Sequence, residues 1–372
     1  MSVDVLNLTR ELVAVDTIGH AENEALAVVA PLLEHAGFSV EIVEHEQGRG
    51  TLIAEWQTGL AEPPLCLSGH VDTVPLGAAT WKYDPFRAEP DGDRLHGRGT
   101  SDMKGGVAAI VAAATRIAAT TPRRAGLRLV LTAAEETGSA GARLAGQHLA
   151  GRPSGPLVIT EPTGNAVLNG HKGALWLSAK AAGVTAHGSM PDLGVNAIYK
   201  LASAVTRLES FAFDVTDHPV MGGPTLNVGT FAGGLNTNSV PDGAEATIDV
   251  RTVAGQDHKA VLGALAEVAG EDVTLEPLID LPAVWTDAGD EWAASVAEIG
   301  REITGTHEKA VQAATYFTDA SVLTPAFGSV PTVICGPGEA AQAHVTDEWV
   351  SIRKLAESVA ILERICVAWC GA

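Results

Sequence analysis

Along this chain the spacing of apolar positions switches repeatedly between a helical period and the alternation or short unbroken runs of strands. From Ser2 to about Val13 the apolar residues fall at helical spacing, and a second helical stretch runs from Glu22 to Ala36 and stops at Gly37. FSVEIVEH alternates as a strand, TLIAEW is another, and PLCLSG is a third that ends at His70. After a long polar connection from His70 to Asp102, MKGGVAAIVAAATRIAA predicts an Ala-rich helix buried on most sides. LRLVLTA, PLVIT, KAVQAATYF and VPTVICG are apolar runs of strand length. Strands alternating with helices predict an α/β fold built on a doubly wound, mostly parallel sheet.

Between about Gly173 and Pro282 the order changes. ALWLSAKAAG reads as a strand, NAIYKLASAVTRLES as a helix, PTLNVGTFAG and GAEATIDVR as two strands, HKAVLGALAEVAG as a helix and DVTLEPL as a strand. That order, β-α-β-β-α-β, is the split ferredoxin-like arrangement, complete in itself. A chain of 372 residues is too long for one ordinary core. The expected organisation is a discontinuous main domain, 1–172 and 283–372, with a ferredoxin-like α+β domain inserted at 173–282.

Five segments deliver metal-liking side chains where an apolar run ends or a helix begins. They carry His70 with Asp72, Asp102, the pair Glu135 and Glu136, Glu161, and His344. Ligands of open α/β sheets bind beyond the carboxyl ends of the strands, so these endings can converge although 274 positions separate His70 from His344. A single histidine at a strand end is more often a hydrogen-bonded structural residue, but convergence with six further groups favours a metal site. Mixed imidazole and carboxylate ligands suit zinc, cobalt or manganese, whereas an all-oxygen set would suit magnesium or calcium.

Asp72 shares a face with His70 if the strand continues, and could accept a hydrogen bond from the ring nitrogen that holds no metal; the bland alternative is an ordinary turn carboxylate. Glu135 and Glu136 are adjacent, so their side chains diverge, one toward metal and the other free for proton transfer. The pair could instead be solvated acids at the start of a helix over GSAGARLAGQHL. Asp102, Glu136 and Glu161 with one hydroxide carry four negative charges, which two divalent ions would balance.

Charge narrows the partners. Lys plus Arg number 24 against 45 Asp plus Glu, a formal charge of -21, which argues against nucleic acid or an anionic membrane as partner. The apolar stretch Val107–Ala114 stops at Thr115 and Arg116, far short of a membrane span. Charges stand near the N-terminus where a signal peptide needs its apolar core, so cytoplasm is the expected compartment. Cys66, Cys335, Cys366 and Cys370 show no CxxC pair and are expected to be buried free thiols.

GHVDTVP, GRGTSDMKGG, AAEETGS, TEPT and the final AxAH resemble, in order and spacing, the co-catalytic zinc hydrolases of the acetylornithine deacetylase, succinyl-diaminopimelate desuccinylase, aminoacylase and carboxypeptidase G2 family. The resemblance implies that His70 and Glu161 hold one metal, Glu136 and His344 the other, and Asp102 bridges them. It implies Glu135 as general base and Asp72 as the partner that orients His70. GVTAHGSMPDLGVNAI is similar to the family's lid motif, in which a histidine reaches the active site of a second subunit, so His187 is the implied oxyanion stabiliser and a homodimer through the inserted domain the implied assembly.

By the same resemblance Asn238, Arg251, Lys172, Thr318 and Gly336 would contact substrate, Arg251 and Lys172 suiting a carboxylate. For Arg251 an internal salt bridge is the competing reading. HKGALWL, GGLNTNSVPD and GPGEAAQAH lean toward the acetylornithine deacetylase branch, since the desuccinylase branch has an Arg pair where this chain has His171 and Lys172. The expected activity is two-zinc hydrolysis of an N-acyl amino acid. The alternatives are a carboxypeptidase or dipeptidase acting on a small peptide or folate-like amide, and, outside enzymes, a binding protein on the same fold. The last would be marked by loss of the base or a ligand, and all are present. GxSxG, GxGxxG and the Walker pattern are absent.

Overall fold

A computed structural model describes residues 3–307 and 310–371. The chain forms two compact units, one comprising Met1–Gly170, Trp285–Gln312 and Thr318–Ala372, the other His171–Val284 and Ala313–Phe317.

In the first unit a six-stranded sheet runs in the order Ser39–Glu46, Arg49–Trp56, Leu127–Thr132, Leu65–His70, Leu157–Pro162, Thr332–Gly336. The first two strands pair antiparallel, and Arg49–Trp56 is also antiparallel to Leu127–Thr132. The remaining pairings are parallel. Register sets His70 opposite Thr132 and Gly336 opposite Pro162, so four carboxyl ends share one edge of the sheet. These four strands are buried at every residue, which is why they read as largely apolar runs. The outer strand Ser39–Glu46 is instead half-buried or exposed throughout and carries Glu41, Glu44 and Glu46, charges that discourage further strand pairing.

Helix Gly105–Ala118 lies in the core, with Ala108, Ala109, Ala112 and Ala113 fully buried. Helix Ile352–Cys370 packs against it through side chains that include Leu362 and Cys366. All four cysteines are buried free thiols, and burial pushes Cys66 and Cys335 up to about 12, which keeps them unreactive. Among the described residues no helix is long and apolar enough to cross a membrane.

Three details differ from the sequence pattern. The first helix is Val5–Val13, capped by the Asp4 carboxylate, which accepts from Asn7 N; Ser2 lies outside the described residues. The polar connection after His70 contains two short strands, Glu89–Asp91 and Arg94–His96, which pair with each other and with Trp349–Ser351 from the far end of the chain. KAVQAATYF forms no strand beyond a single bridge of Ala314 to His171, and its Lys309 lies outside the described residues. Its alanines and glutamine have little intrinsic preference for a pleated surface, so the apolar character alone misleads.

The second unit is a four-stranded antiparallel sheet ordered Thr225–Gly233, Gly243–Thr252, Gly173–Ala182, Val273–Leu281, with helices Ala197–Glu209 and His258–Ala269 packed on it. Leu175, Leu177, Leu201, Ile248 and Leu265 are in its core. Asn196 caps the first helix by accepting from Ile198 N and Tyr199 N, and Asp257 caps the second through Lys259 N. Thr225–Gly233 is an outer strand of this sheet, half-buried or exposed along its length.

Candidate metal centre

Strand Leu65–His70 ends on the buried His70. The ring Nδ1 donates to the backbone carbonyl of Asp72 at 3.0 Å, which fixes the tautomer and leaves Nε2 with its lone pair for a ligand. That Nε2 lies 3.2 Å from Asp102 Oδ1 and 3.7 Å from Glu161 Oε1. Asp102 sits in the turn Thr100–Lys104 that leads into helix Gly105–Ala118, and Glu161 in the parallel strand next to His70. The second Asp102 oxygen, Oδ2, lies 3.3 Å from Nε2 of His344, and the same nitrogen is 3.0 Å from Glu136 Oε2. One carboxylate therefore faces two imidazoles, one oxygen to each. Ligand atoms of His70, Glu135 and Glu161 lie within 4.8 Å of one another, as do those of His70, Asp102 and Glu136.

Asp72 does less for the His70 ring, and more for the glutamates, than the two-residue spacing predicts. Its carboxylate is 3.5 Å from Nδ1, while Oδ1 and Oδ2 accept the backbone N–H groups of Glu135 and Glu136, each at 3.1 Å. The strand stops at His70, so positions 70 and 72 no longer share a pleated face, and the Asp72 side chain turns to the neighbouring strand's end instead. The backbone of the Glu135–Glu136 pair is thus fixed independently of its own side chains. Glu135 is buried, and its Oε1 has no hydrogen-bond partner.

The electrostatics of the cluster bear on the ligand it suits. Burial, then the neighbouring Glu161 carboxylate, pushes Glu135 well above the usual range; Glu161 is pushed up by burial, reinforced by Asp102 and Glu136 and opposed by His70. Burial also acts to raise Asp102, but contacts with His344 and His70 outweigh it and hold that carboxyl low. Hydrogen bonding to Asp102 and Glu136 raises His344 to about 10. Four carboxylates crowd two imidazoles, one carboxylate oxygen is orphaned, and the donors are nitrogen and oxygen. This set fits divalent cations of the zinc, cobalt or manganese type.

Two buried acids near the cluster carry no signal in the sequence. Glu348 receives the N–H groups of the Asp102 turn, and burial lifts its carboxyl to about 7. Asp319 accepts from Thr132 Oγ1 at 2.5 Å, and burial lifts it to about 6. The neighbouring Thr318 is buried, its Oγ1 accepting from Ala320 N at 3.1 Å. Gly336 needs to be glycine because a Cβ there would stand 2.0 Å from Thr160 O.

The remaining candidates belong to the second unit. His187 is exposed, its Nδ1 2.8 Å from Ser189 Oγ, and the N–H of Gly188 donates to the carbonyl of Asn238 at 2.7 Å, so the His187 and Asn238 segments are paired. Arg251 Nε lies 2.9 Å from Asp249 Oδ1, with the guanidinium 5.9 Å from the centre of the Trp176 ring. Lys172 Nζ donates to Gly223 O at 2.6 Å.

A family model described as Peptidase family M20/M25/M40 matches residues 66–368. An acetylornithine deacetylase of Vibrio campbellii is 32% identical over 355 residues, covering 92% of this chain and 90% of that protein. A probable succinyl-diaminopimelate desuccinylase of Staphylococcus epidermidis is 31% identical, covering 93% of each. Among solved structures, an M20 family metallo-carboxypeptidase from Sulfolobus solfataricus superposes with a TM-score of 0.83 at 19% identity over 99% of this chain and 100% of that one. A Staphylococcus aureus tripeptidase gives 0.76 at 22% identity over the full length of both.

Proposed function

Since the chain belongs to peptidase family M20/M25/M40, whose members are metallo-hydrolases acting on amide and peptide C–N bonds, we propose that it cleaves the amide of an N-acyl amino acid, in the manner of an acetylornithine deacetylase. The arrangement of one carboxylate, Asp102, between the imidazoles of His70 and His344 carries the catalytic part of this reading. Similarity to acetylornithine deacetylases over more than nine-tenths of the chain supports the substrate class. Our assignment gives His70 and Glu161 to one zinc ion, Glu136 and His344 to a second, and Asp102 to both.

Bound at these residues, two divalent ions would acidify a water and polarise the scissile carbonyl. Glu135 would take a proton from the attacking water at its unpartnered Oε1 and return it to the leaving amine, so that one amide and one water become a carboxylic acid and an amine. Burial suits this task by lifting Glu135 above the usual carboxylate range, which makes it the stronger base. Asp72 keeps the glutamate backbone in place during the exchange.

The second unit we assign as a lid and dimerisation domain, with His187 as the donor that stabilises the oxyanion across a subunit boundary. Its outer strand Thr225–Gly233 has an unpaired edge, and Met190, Leu193, Tyr199, Phe231 and Leu235 are exposed apolar side chains of the same unit. Asn238, Arg251, Lys172, Thr318 and Gly336 are proposed to line the substrate site, in a cytoplasmic enzyme. Hydrolysis rates of the zinc-loaded protein across N-acetyl, N-succinyl and N-formyl amino acids and a set of dipeptides test the assignment. Preference for an N-acyl amino acid is expected; turnover confined to peptides would replace deacylase with peptidase.

A further inference from the structure

We propose that Glu348 is a positioning residue that sets the span between the His70 and His344 imidazoles, by clamping the turn that carries Asp102 to the segment that carries His344. The inference rests on the reading of Asp102 and His344 as metal ligands. Glu348 is fully buried, four residues beyond His344. Its Oε1 accepts from Ser101 N at 2.7 Å and Asp102 N at 3.0 Å, while Oε2 accepts from Arg98 Nη1 at 2.7 Å and Gly99 N at 3.0 Å. In its ionised form the Glu348 carboxylate offers about four acceptor sites and no donor, which matches these four donors one for one. The same two segments are stitched twice more, by Gly97 N to Glu348 O at 2.9 Å and by Ser101 Oγ to Trp349 O at 2.7 Å.

Such stitching matters because His344 has little else in the core to hold it. Its side chain is 54% exposed and its backbone adopts a φ of 61°, whereas Asp102, its partner across 3.3 Å, is buried. A half-exposed imidazole stays in register with a buried carboxylate only if their backbones are joined, and Glu348 makes that joint. Glutamine at this position would keep the shape but could satisfy only one pair of donors, setting its own NH2 against the other pair. The turn would then shift relative to His344.

The test is zinc binding by the full-length protein stripped of metal, measured by calorimetry with elemental analysis, for wild type, Glu348→Gln and the core control Leu362→Ala, with folding checked by circular dichroism. Glu348→Gln should weaken the looser zinc ion by roughly 10- to 100-fold, the usual effect of removing a group that holds a ligand. Leu362→Ala should bind zinc as wild type does despite a lower Tm. Wild-type affinity in Glu348→Gln, or an equal loss in Leu362→Ala, would overturn the proposal. Should Glu348→Gln fail to fold, Glu348→Asp, which keeps the charge but shortens the reach by one methylene, must show a smaller loss of the same ion, and unchanged affinity there would overturn it equally. Absence of zinc binding by the wild type would defeat the metal-centre reading itself and this proposal with it.

Discussion

Glu135→Gln separates proton transfer from metal binding at one atom. The backbone at Glu135 is held by its N–H to Asp72 Oδ1, and Oε1 makes no hydrogen bond, so an isosteric amide leaves the Asp72 contact and the remaining ligands where they are. Loss of a general base costs about 10² to 10⁴ in rate, or about 3 to 5 kcal/mol of barrier. The expected result is kcat lower by at least about 10²-fold, KM little changed, and two metal ions retained by elemental analysis.

A second readout needs no turnover. Glu135 is pushed well above its unfolded value chiefly by burial, so the folded, metal-free protein binds a proton that the unfolded chain has released. The penalty is absent below the unfolded pKa and grows as pH rises above it. Metal-free Glu135→Gln should therefore be more stable than metal-free wild type at neutral pH, with the gap closing in acid, as read by denaturant titration. Near-normal kcat, or loss of metal from the variant, would refute the assignment of Glu135 as the base.

Metal-loaded wild type should approach two zinc ions per chain, falling with His70→Ala and dropping to one with Glu136→Ala; a wild-type ceiling of zero, or equal losses in Glu136→Ala and Glu135→Gln, would undo the ligand assignment. His187→Ala should lower kcat by roughly 10²- to 10³-fold at unchanged metal content. Mixing it with Glu135→Gln should restore activity if the sites are shared between subunits, and verified subunit exchange without recovery would exclude catalysis in trans. His171 is fully buried, and burial lowers it from 6.5 to about 4. As pH falls through that window the unfolded chain gains a proton that the folded one refuses, a loss of about 3 kcal/mol. His171→Gln should flatten the pH dependence of stability there, as measured by urea titration, and identical slopes would refute it.

The sequence made the strand ends legible because the four parallel strands are buried on both faces and so leave largely apolar runs, three of them ending at or near a polar side chain and the fourth at Gly336. His70 and Glu161 stand out for that reason. His344 does not end a strand: it follows the short turn Ala340–Gln342, and only its motif marks it. Asp72 was legible as a residue but not in its contacts, because spacing along one strand says nothing of backbone N–H groups 63 and 64 positions away. Glu348 and Asp319 left no local trace, since each meets its partners across about half the chain or more. Three of the four donors to Glu348 are backbone N–H groups, which need no particular residue type opposite the acid, so no pattern records those contacts.

The split of the cluster between position 70 and position 344 also bears on how the molecule is made. Synthesis from the N-terminus delivers His70, Asp102, Glu135, Glu136 and Glu161 well before His344 and Glu348. Until the segment around His344 and Glu348 emerges, the nascent chain holds several acids beside one imidazole and has no clamp on the Asp102 turn. The second metal ion, assigned to Glu136 and His344, cannot then act as an early template, because loop closure over such a separation comes late. Capture of the full metal complement would instead mark a chain whose two ends have already met, and so serve as a chemical seal on completed folding.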